Sequence, residues 1–390
     1  MADLAGKAAA RFGVVLMSAQ RKVQRAEETP LAARLRGRIA RDGPISVHDY
    51  MQACLSDRRA GYYARRQPIG RDGDFVTAPE VSQMFGELLG VWAASMWHVM
   101  GEPASVVIAE LGPGRGTLME DALRLFRRVP GLLDSASIAL VESSPVLREV
   151  QRQTLRSSPA PLQWCERIED LPQGPLILIA NEFIDALPVR QFVRERGTWR
   201  ERCIALDDKG GFGICAGAPV ELDALPASLR DADAADGAII ETRPAADKLV
   251  AALAARAKDA PVAALLVDYG HAESGFGETL QAVRQHRFAD PLAAPGEADL
   301  TAHVDFAALK ATATEFGFAT HGPMPQGEFL LKLGLEARCE RLKQNASPQQ
   351  GAALVAGAAR LADPRQMGLL FKMLVLQSSG LAPAPPFGDI

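Results

Sequence analysis

From Ser105 onward the chain alternates short apolar runs with amphipathic stretches, and no other feature narrows its possible folds so far. "SVVIAEL", "SIALVE", "PLILIA" and "APVAALLVDYG" are brief apolar runs bounded by polar or turn residues. Among them lie "GTLMEDALRLFRRV" and "SPVLREVQRQTL", whose apolar residues recur at helical spacing. Strands that are apolar at every position must be covered on both faces. The alternation therefore predicts an α/β protein, a mostly parallel sheet with helices on both sides. The pattern breaks between Val189 and Ile240, where "PVRQFVRERGTWRERCIAL" reads as an inserted antiparallel β-hairpin. Later, "FGFATHGPMPQGEFLLKLG" predicts two more strands joined by a Gly-Pro turn, and the tail from about Glu336 reads as helical.

Ahead of the sheet, residues 1–30 form a basic leader. "PLAARLRGRIARDGPIS" then places Leu31, Leu35 and Ile39 on one helical face before Gly43-Pro44 stops the helix. Ser46 caps a second amphipathic helix. "GYYARRQPIGRDGD", from Gly61 to Asp74, reads as a long surface loop of the kind that often serves function. Pro79 opens a helix ending at Gly101, whose Trp92 and Trp97 are expected to pack in a core. The expected organisation is a leader and helical region with a cofactor-covering loop (1–104) and a core with its β insertion at about 189–240 (105–275). A substrate-facing insertion with the last core strands and a helical tail (276–390) completes it.

Composition removes several classes of function. A formal net charge of −4 leaves no basic field for sequence-independent phosphate binding, so nucleic acid is not an expected partner. The five cysteines are scattered and lack C-x-x-C spacing, which argues against a disulfide framework or zinc site and for a reducing compartment. No metal is expected. No apolar run approaches the roughly 18 residues a membrane span needs.

The first apolar strand runs directly into "ELGPGRG". A glycine-rich turn between strand and helix brings backbone N–H groups close to a ligand at a helix N-terminus. A dinucleotide fingerprint needs G-x-G-x-x-G, but the glycines after Gly112 fall at Gly114 and Gly116, with Thr117 at the third fingerprint position. The acidic residue Glu110 precedes the first glycine by two positions. E-x-G-x-G-x-G resembles the first motif of class I S-adenosylmethionine-dependent methyltransferases. Those enzymes keep an acid at the end of the second strand, and "ALVESSP" supplies Glu142, whose two carboxylate oxygens suit a ribose diol. The next strand ends in "ILIANEFIDALPVRQF", so Asn181, Glu182 and Asp185 are expected at the carboxyl edge of the sheet, where ligands of open parallel sheets bind. Phe75 and Thr77, in "GDFVTAPE", are placed in a loop that either closes over the cofactor or anchors in the core. His271, His286 and His303 are weighed for proton removal, with a structural role favoured for each.

With these residues assembled, the chain resembles the MidA-type methyltransferase family, which includes a mitochondrial complex I assembly factor that methylates an arginine. The similarity runs from about residue 31 nearly to the end. "GPISVHDYMQACL", "GDFVTAPEVSQMFGELLGVW", "ELGPGRGTLMEDAL", "NEFIDALPVRQF", "VDYGH", "ETLQAVRQHRFADPL" and "DLTAHVDF" carry it. One departure is "MGLLFK" where the family has "MGELFK", an acid lost at Leu369 in a tail far in sequence from the site.

The resemblance implies a Rossmann-like class I fold with a seven-stranded, mostly parallel sheet. It also implies S-adenosyl-L-methionine as cofactor and the arginine side chain of a protein, possibly a respiratory complex I subunit, as substrate. Cofactor binding is assigned to Glu110, Gly112, Gly114, Gly116, Glu142, Phe75 and Thr77. Catalysis is assigned to Glu182 first, with Asn181, Asp185 and Asp268 in support, because carboxylates orient a guanidinium and concentrate its charge on the non-reacting nitrogens. A bacterial cytoplasmic location is expected, with the mitochondrial matrix as alternative. Two other readings stay open: a cofactor-binding assembly or scaffold protein without catalysis, and a NAD-dependent oxidoreductase.

Overall fold

The computed structural model describes residues 28–65, 77–230, 232–383 and 385–388. Most of the basic leader, most of the glycine-rich loop and Phe75 lie outside the described residues.

The main sheet is built from β1 (Val106–Leu111), β2 (Ala136–Val141), β3 (Leu162–Cys165), β4 (Leu176–Asn181), β5 (Val262–His271), β6 (Phe318–Pro325) and β7 (Phe371–Ser378). Its order is β3-β2-β1-β4-β5-β7-β6, and the short strand Val304–Asp305 pairs with the end of β5 as an eighth. Neighbours from β3 through β5 are parallel, while β7 is antiparallel to both β5 and β6. The last strand in sequence thus sits inside the sheet.

Successive residues of each central strand serve opposite faces, as the pleat requires. Val106 and Ile108 join Ile177 and Ile179 on one face, under α1 (Gln83–Val99) and α2 (Thr117–Phe126). Val107, Ala109 and Leu111 join Leu176, Leu178 and Ala180 on the other, under α4 (Pro244–Ala257) and α5 (Phe306–Glu315). A further helix, α3 (Pro145–Thr154), follows β2. Trp92 and Trp97 are buried in the first of these cores, as expected of packing residues.

Two smaller sheets are added. The expected hairpin, Arg190–Glu195 with Thr198–Leu206, belongs to a five-stranded sheet that also takes in Phe212–Pro219, Ile239–Thr242 and Ile45–Ser46. A three-stranded sheet spans Gln281–Arg284, Arg287–Ala289 and Asp299–Thr301. The N-terminal helices Pro30–Asp42 and Val47–Ser56 share a core with these insertions, where Leu31, Tyr50 and Leu55 meet Ile204, Phe212 and Leu300. Tyr50 Oη donates to Pro291 O at 2.7 Å and Thr29 Oγ1 to Pro295 O at 2.9 Å, locking the two segments together.

Three local readings are corrected. "QGEFLLK" is a helix, Gln326–Lys332, because Phe329 and Leu330 bury one side of a short turn instead of alternating; the second expected strand is "FKMLVLQS", far along the supposedly helical tail. Tyr62–Arg65, read as loop, is a helical turn with Tyr62 buried. The helix expected from Pro79 is split at Ser82, whose extended backbone ends Ala78–Val81 and caps α1.

Candidate functional site

The carboxyl ends of β1, β2 and β4 open onto one cleft of about 930 Å³, walled by the glycine turn, the loop after β2 and the turn after β4. Thr77, Glu80 and Tyr63 line it from the opposite side.

Gly112, Gly114 and Gly116 all adopt left-handed backbone, with φ of 59°, 53° and 83°. A Cβ on Gly112 would fall 2.8 Å from the Phe183 ring, so a side chain there would be both strained and obstructed. Gly116 is the N-cap of α2 and offers no side chain to its amides. Glu110, the penultimate residue of β1, has its carboxyl buried beneath this turn, and burial pushes it up to about 8. Its Oε2 has no partner among the described residues.

Glu142, one residue past β2, is also buried, and burial raises its carboxyl above the usual range. Its Oε1 accepts from the Ser144 amide at 2.7 Å. Gln151 of α3, wholly buried, donates through Nε2 to Gly114 O at 2.9 Å and to Glu142 Oε2 at 3.3 Å, while its Oε1 accepts from Trp164 Nε1 at 2.9 Å. One amide therefore ties the glycine turn to the acidic loop and has its own polar atoms engaged. Nothing in the sequence of an amphipathic helix marks that glutamine.

At the end of β4, Asn181 is buried on the cleft wall, and its Oδ1 is unpaired among the described residues. Glu182 has a left-handed φ of 48°, a strained setting for a non-glycine residue, held by its amide donating to Val267 O at 2.9 Å. Its carboxylate accepts from the Ala78 amide at 2.9 Å and Asn181 Nδ2 at 3.3 Å, and burial pushes it up to about 7. The segment Ala78–Val81 is fastened at its other end by Thr117 Oγ1 donating to Glu80 Oε1 at 2.6 Å. Thr77, which the sequence assigned to a covering loop, caps this segment and faces the cleft.

Asp185 and Asp268 lie behind the wall. Asp268 is fully buried, and its Oδ2 accepts from the Ile184 and Asp185 amides at 2.9 and 3.1 Å, so it fixes the turn carrying Glu182. Burial and the neighbouring Asp185 charge drive its carboxyl well above the usual range. Arg243 braces the same turn by donating to Leu187 O, Ala302 O and His303 O at 3.1, 2.8 and 3.3 Å.

None of the three weighed histidines lines the cleft. His271 Nδ1 is 3.1 Å from Val304 O, His303 is pushed down to about 4 by burial and packs against Tyr269, and His286 occupies a hairpin turn. The sequence placed the "MGLLFK" tail far from the site. In the fold, Lys372 is in register with Asp268 on the adjacent strand, while Leu369, where the acid is missing, is exposed.

The cleft suits an uncharged diol and a cationic group better than a phosphate. Its wall is acidic, with Glu110 and Glu142 buried and Glu182 half-buried along it. The orphaned Glu110 oxygen and the uncapped glycine turn fit the nucleoside part of S-adenosylmethionine, which the spacing of the motif anticipated. Among the described residues no cluster of His, Cys, Asp and Glu has metal-binding geometry, and no helix is long and apolar enough to cross a membrane.

Residues 88–324 match a family model described as "Putative S-adenosyl-L-methionine-dependent methyltransferase". The chain is 37% identical over 379 residues, covering 90% of it and 86% of the relative, to the Drosophila melanogaster homologue of protein arginine methyltransferase NDUFAF7, mitochondrial. It is 35% identical over 376 residues to the human protein of that name, covering 89% of this chain and 83% of that one. A superfamily protein from Burkholderia thailandensis, solved with S-adenosyl-homocysteine bound, superposes with a TM-score of 0.79 at 30% identity, over 91% of this chain and 93% of that one.

Proposed function

The chain belongs to the S-adenosylmethionine-dependent methyltransferase family, and from that premise we propose that it methylates an arginine side chain of a protein. Fold, cofactor and methyl transfer follow from the family; the choice of acceptor is argued from the site. The observation that carries it is Glu182: a half-buried carboxylate in strained backbone at the cleft wall, held by the Ala78 amide and beside the unpaired Asn181 Oδ1.

Glu110, Glu142 and the glycine turn would hold the cofactor, with Glu142 accepting from the ribose hydroxyls and Gly112 allowing close backbone approach. When bound, S-adenosylmethionine supplies an electrophilic methyl on sulfonium, whose transfer to nitrogen leaves S-adenosylhomocysteine and one proton. An arginine nitrogen is a weak nucleophile because its lone pair is delocalised over the guanidinium. Ionised Glu182 can accept paired N–H bonds from the two non-reacting positions, which localises positive charge there and frees the third nitrogen. A carboxyl poised at about 7 can also take up the proton released. Asn181 Oδ1 offers a further acceptor, and Thr77 with Ala78–Val81 would shield the reacting atoms from water.

The names of the curated relatives support an arginine acceptor and include a mitochondrial location; a complex I subunit as the acceptor rests on the family resemblance. The matched bacterial structure shows the same fold outside mitochondria. The decisive experiment is transfer of a labelled methyl group into a lysate lacking this protein, followed by mass spectrometry of the labelled site. Label on arginine is expected, and label confined to lysine, a carboxylate or a small molecule overturns the assignment. Glu182→Gln should bind S-adenosylhomocysteine as the parent does and lose about 100-fold or more in kcat. Unchanged kcat removes Glu182 from the mechanism. A thermal shift with S-adenosylhomocysteine and none with NAD excludes the oxidoreductase reading.

A further inference from the structure

Behind Glu182 the molecule buries more carboxyl groups than cations. Asp185 and Asp299 are each 5% exposed and Asp268 is fully buried, and all three converge on the turn after β4 or the strand facing it. The cation among them is Arg243, but its hydrogen bonds go to the backbone carbonyls of Leu187, Ala302 and His303. Asp268 is occupied by the amides of Ile184, Asp185 and Tyr269. Asp299 Oδ1 accepts from Tyr63 Oη at 2.9 Å. Asp185 is only partly satisfied: its carboxyl lies beside the Tyr269 hydroxyl and the Arg243 charge, but its buried Oδ1 has no hydrogen-bond partner among the described residues. Desolvated acceptors of this kind are normally paired, and exceptions concentrate where a ligand completes them.

Tyr63 connects this group to the cleft. It lines the wall together with Ala186 and Leu187, the residues that follow Asp185. Burial first, and then the neighbouring Asp299 and Asp185, raise its hydroxyl well above the usual range. Once its proton is given to Asp299, the phenol oxygen presents only lone pairs to anything that approaches.

We propose that Tyr63 on the cleft wall, with the buried carboxyls of Asp185 and Asp299 behind it, forms a recess that receives the cationic group of the methyl acceptor. Each residue comes from a different segment: the N-terminal helical turn, the strand-end turn of the core, and the three-stranded insertion. The recess rests on the reading of the acceptor as an arginine, and it assigns to the two added regions a chemical role in acceptor choice. It also separates two carboxylates that sequence alone treats alike, giving Asp185 to the ligand and Asp268 to the turn.

The probe is agmatine, a guanidinium on a short alkyl chain, titrated into the protein saturated with S-adenosylhomocysteine, with N-butylurea as its uncharged counterpart. Agmatine is expected to bind at least tenfold more tightly than the urea. Asp185→Asn and Tyr63→Phe, both close in shape to the parent, should each weaken agmatine at least tenfold and leave S-adenosylhomocysteine affinity within twofold. Equal binding of agmatine and urea overturns the recess, as does a loss of nucleotide affinity that parallels the loss of agmatine. If the agmatine pattern holds while lysate labelling falls on a non-arginine cation, the recess stands and the arginine reading fails. If arginine is labelled but Asp299→Asn and Tyr63→Phe leave KM for the labelled protein unchanged, the reading stands and the recess fails.

Discussion

Glu110 shows at a single residue what burying a carboxyl beneath the glycine turn costs the protein. Its carboxyl titrates near 4.5 when unfolded and at about 8 in the fold, because burial disfavours the charged form. Between those values the folded state holds a proton that the unfolded chain has released. Stability of the cofactor-free protein is therefore greatest below about pH 4.5 as far as Glu110 is concerned, and falls as pH rises toward 8. Glu110→Gln should flatten the decline in Tm across that window and raise Tm at pH 8, while weakening S-adenosylhomocysteine at least tenfold. Asp121, also pushed up to about 8 by burial, would account for slope that remains. Identical pH slopes for variant and parent would show that Glu110 is not the buried titrating group. Glu110 and Glu142 were legible in sequence because an acid at the end of an apolar strand contradicts its surroundings and so announces itself. Gln151 was not, since its three partners come from Gly114, Glu142 and Trp164 and meet only in the folded chain.

At the scale of the element, the glycine turn and the turn after β4 form one interlocked unit. Phe183 fills the space that a side chain on Gly112 would need. Gly112→Ala combines left-handed strain of about 1–2 kcal/mol with displacement of that ring, so we expect a total loss of about 2–4 kcal/mol. Because Phe183 lines the cleft, S-adenosylhomocysteine binding should weaken with it. Chemical denaturation and calorimetric titration of the variant check both, and a loss under 0.5 kcal/mol with unchanged affinity contradicts the interlock. Strands β1, β2, β4 and β5 were readable from their apolar runs, and helices α2 and α3 from their spacing. The reading failed at "QGEFLLK", seven residues in which a strand and a helix pattern cannot be told apart without knowing which face is buried. It also failed at Tyr62, where glycine-rich neighbours hid a residue that contacts close to full burial.

Considered as a whole molecule, the protein is a sheet core whose site is walled by regions outside the sheet. The N-terminal helices and both insertions share one apolar cluster, so these three stretches, distant in sequence, are tied together by a common core. Composition gave no sign of this arrangement, because each stretch alone reads as an ordinary helix or hairpin. Cutting the chain after Arg365 would spare every residue assigned to the site and remove β7 from between β5 and β6. The truncated protein should lose its cooperative thermal transition and S-adenosylhomocysteine binding together, as seen by circular dichroism and titration. Retained binding would mean that the core closes without its last strand. During synthesis the same placement imposes an order of events. The glycine turn and the turn after β4 leave the ribosome early, while the strand that joins β6 to the rest of the sheet follows β6 by the 45 residues from 326 to 370. At about 5–20 residues per second that interval lasts on the order of seconds. Throughout it β5 and β6 wait with unpaired edges, the condition that favours mispairing between nascent chains. The interior position of β7 therefore makes the newborn protein most dependent on protection just before it becomes an enzyme.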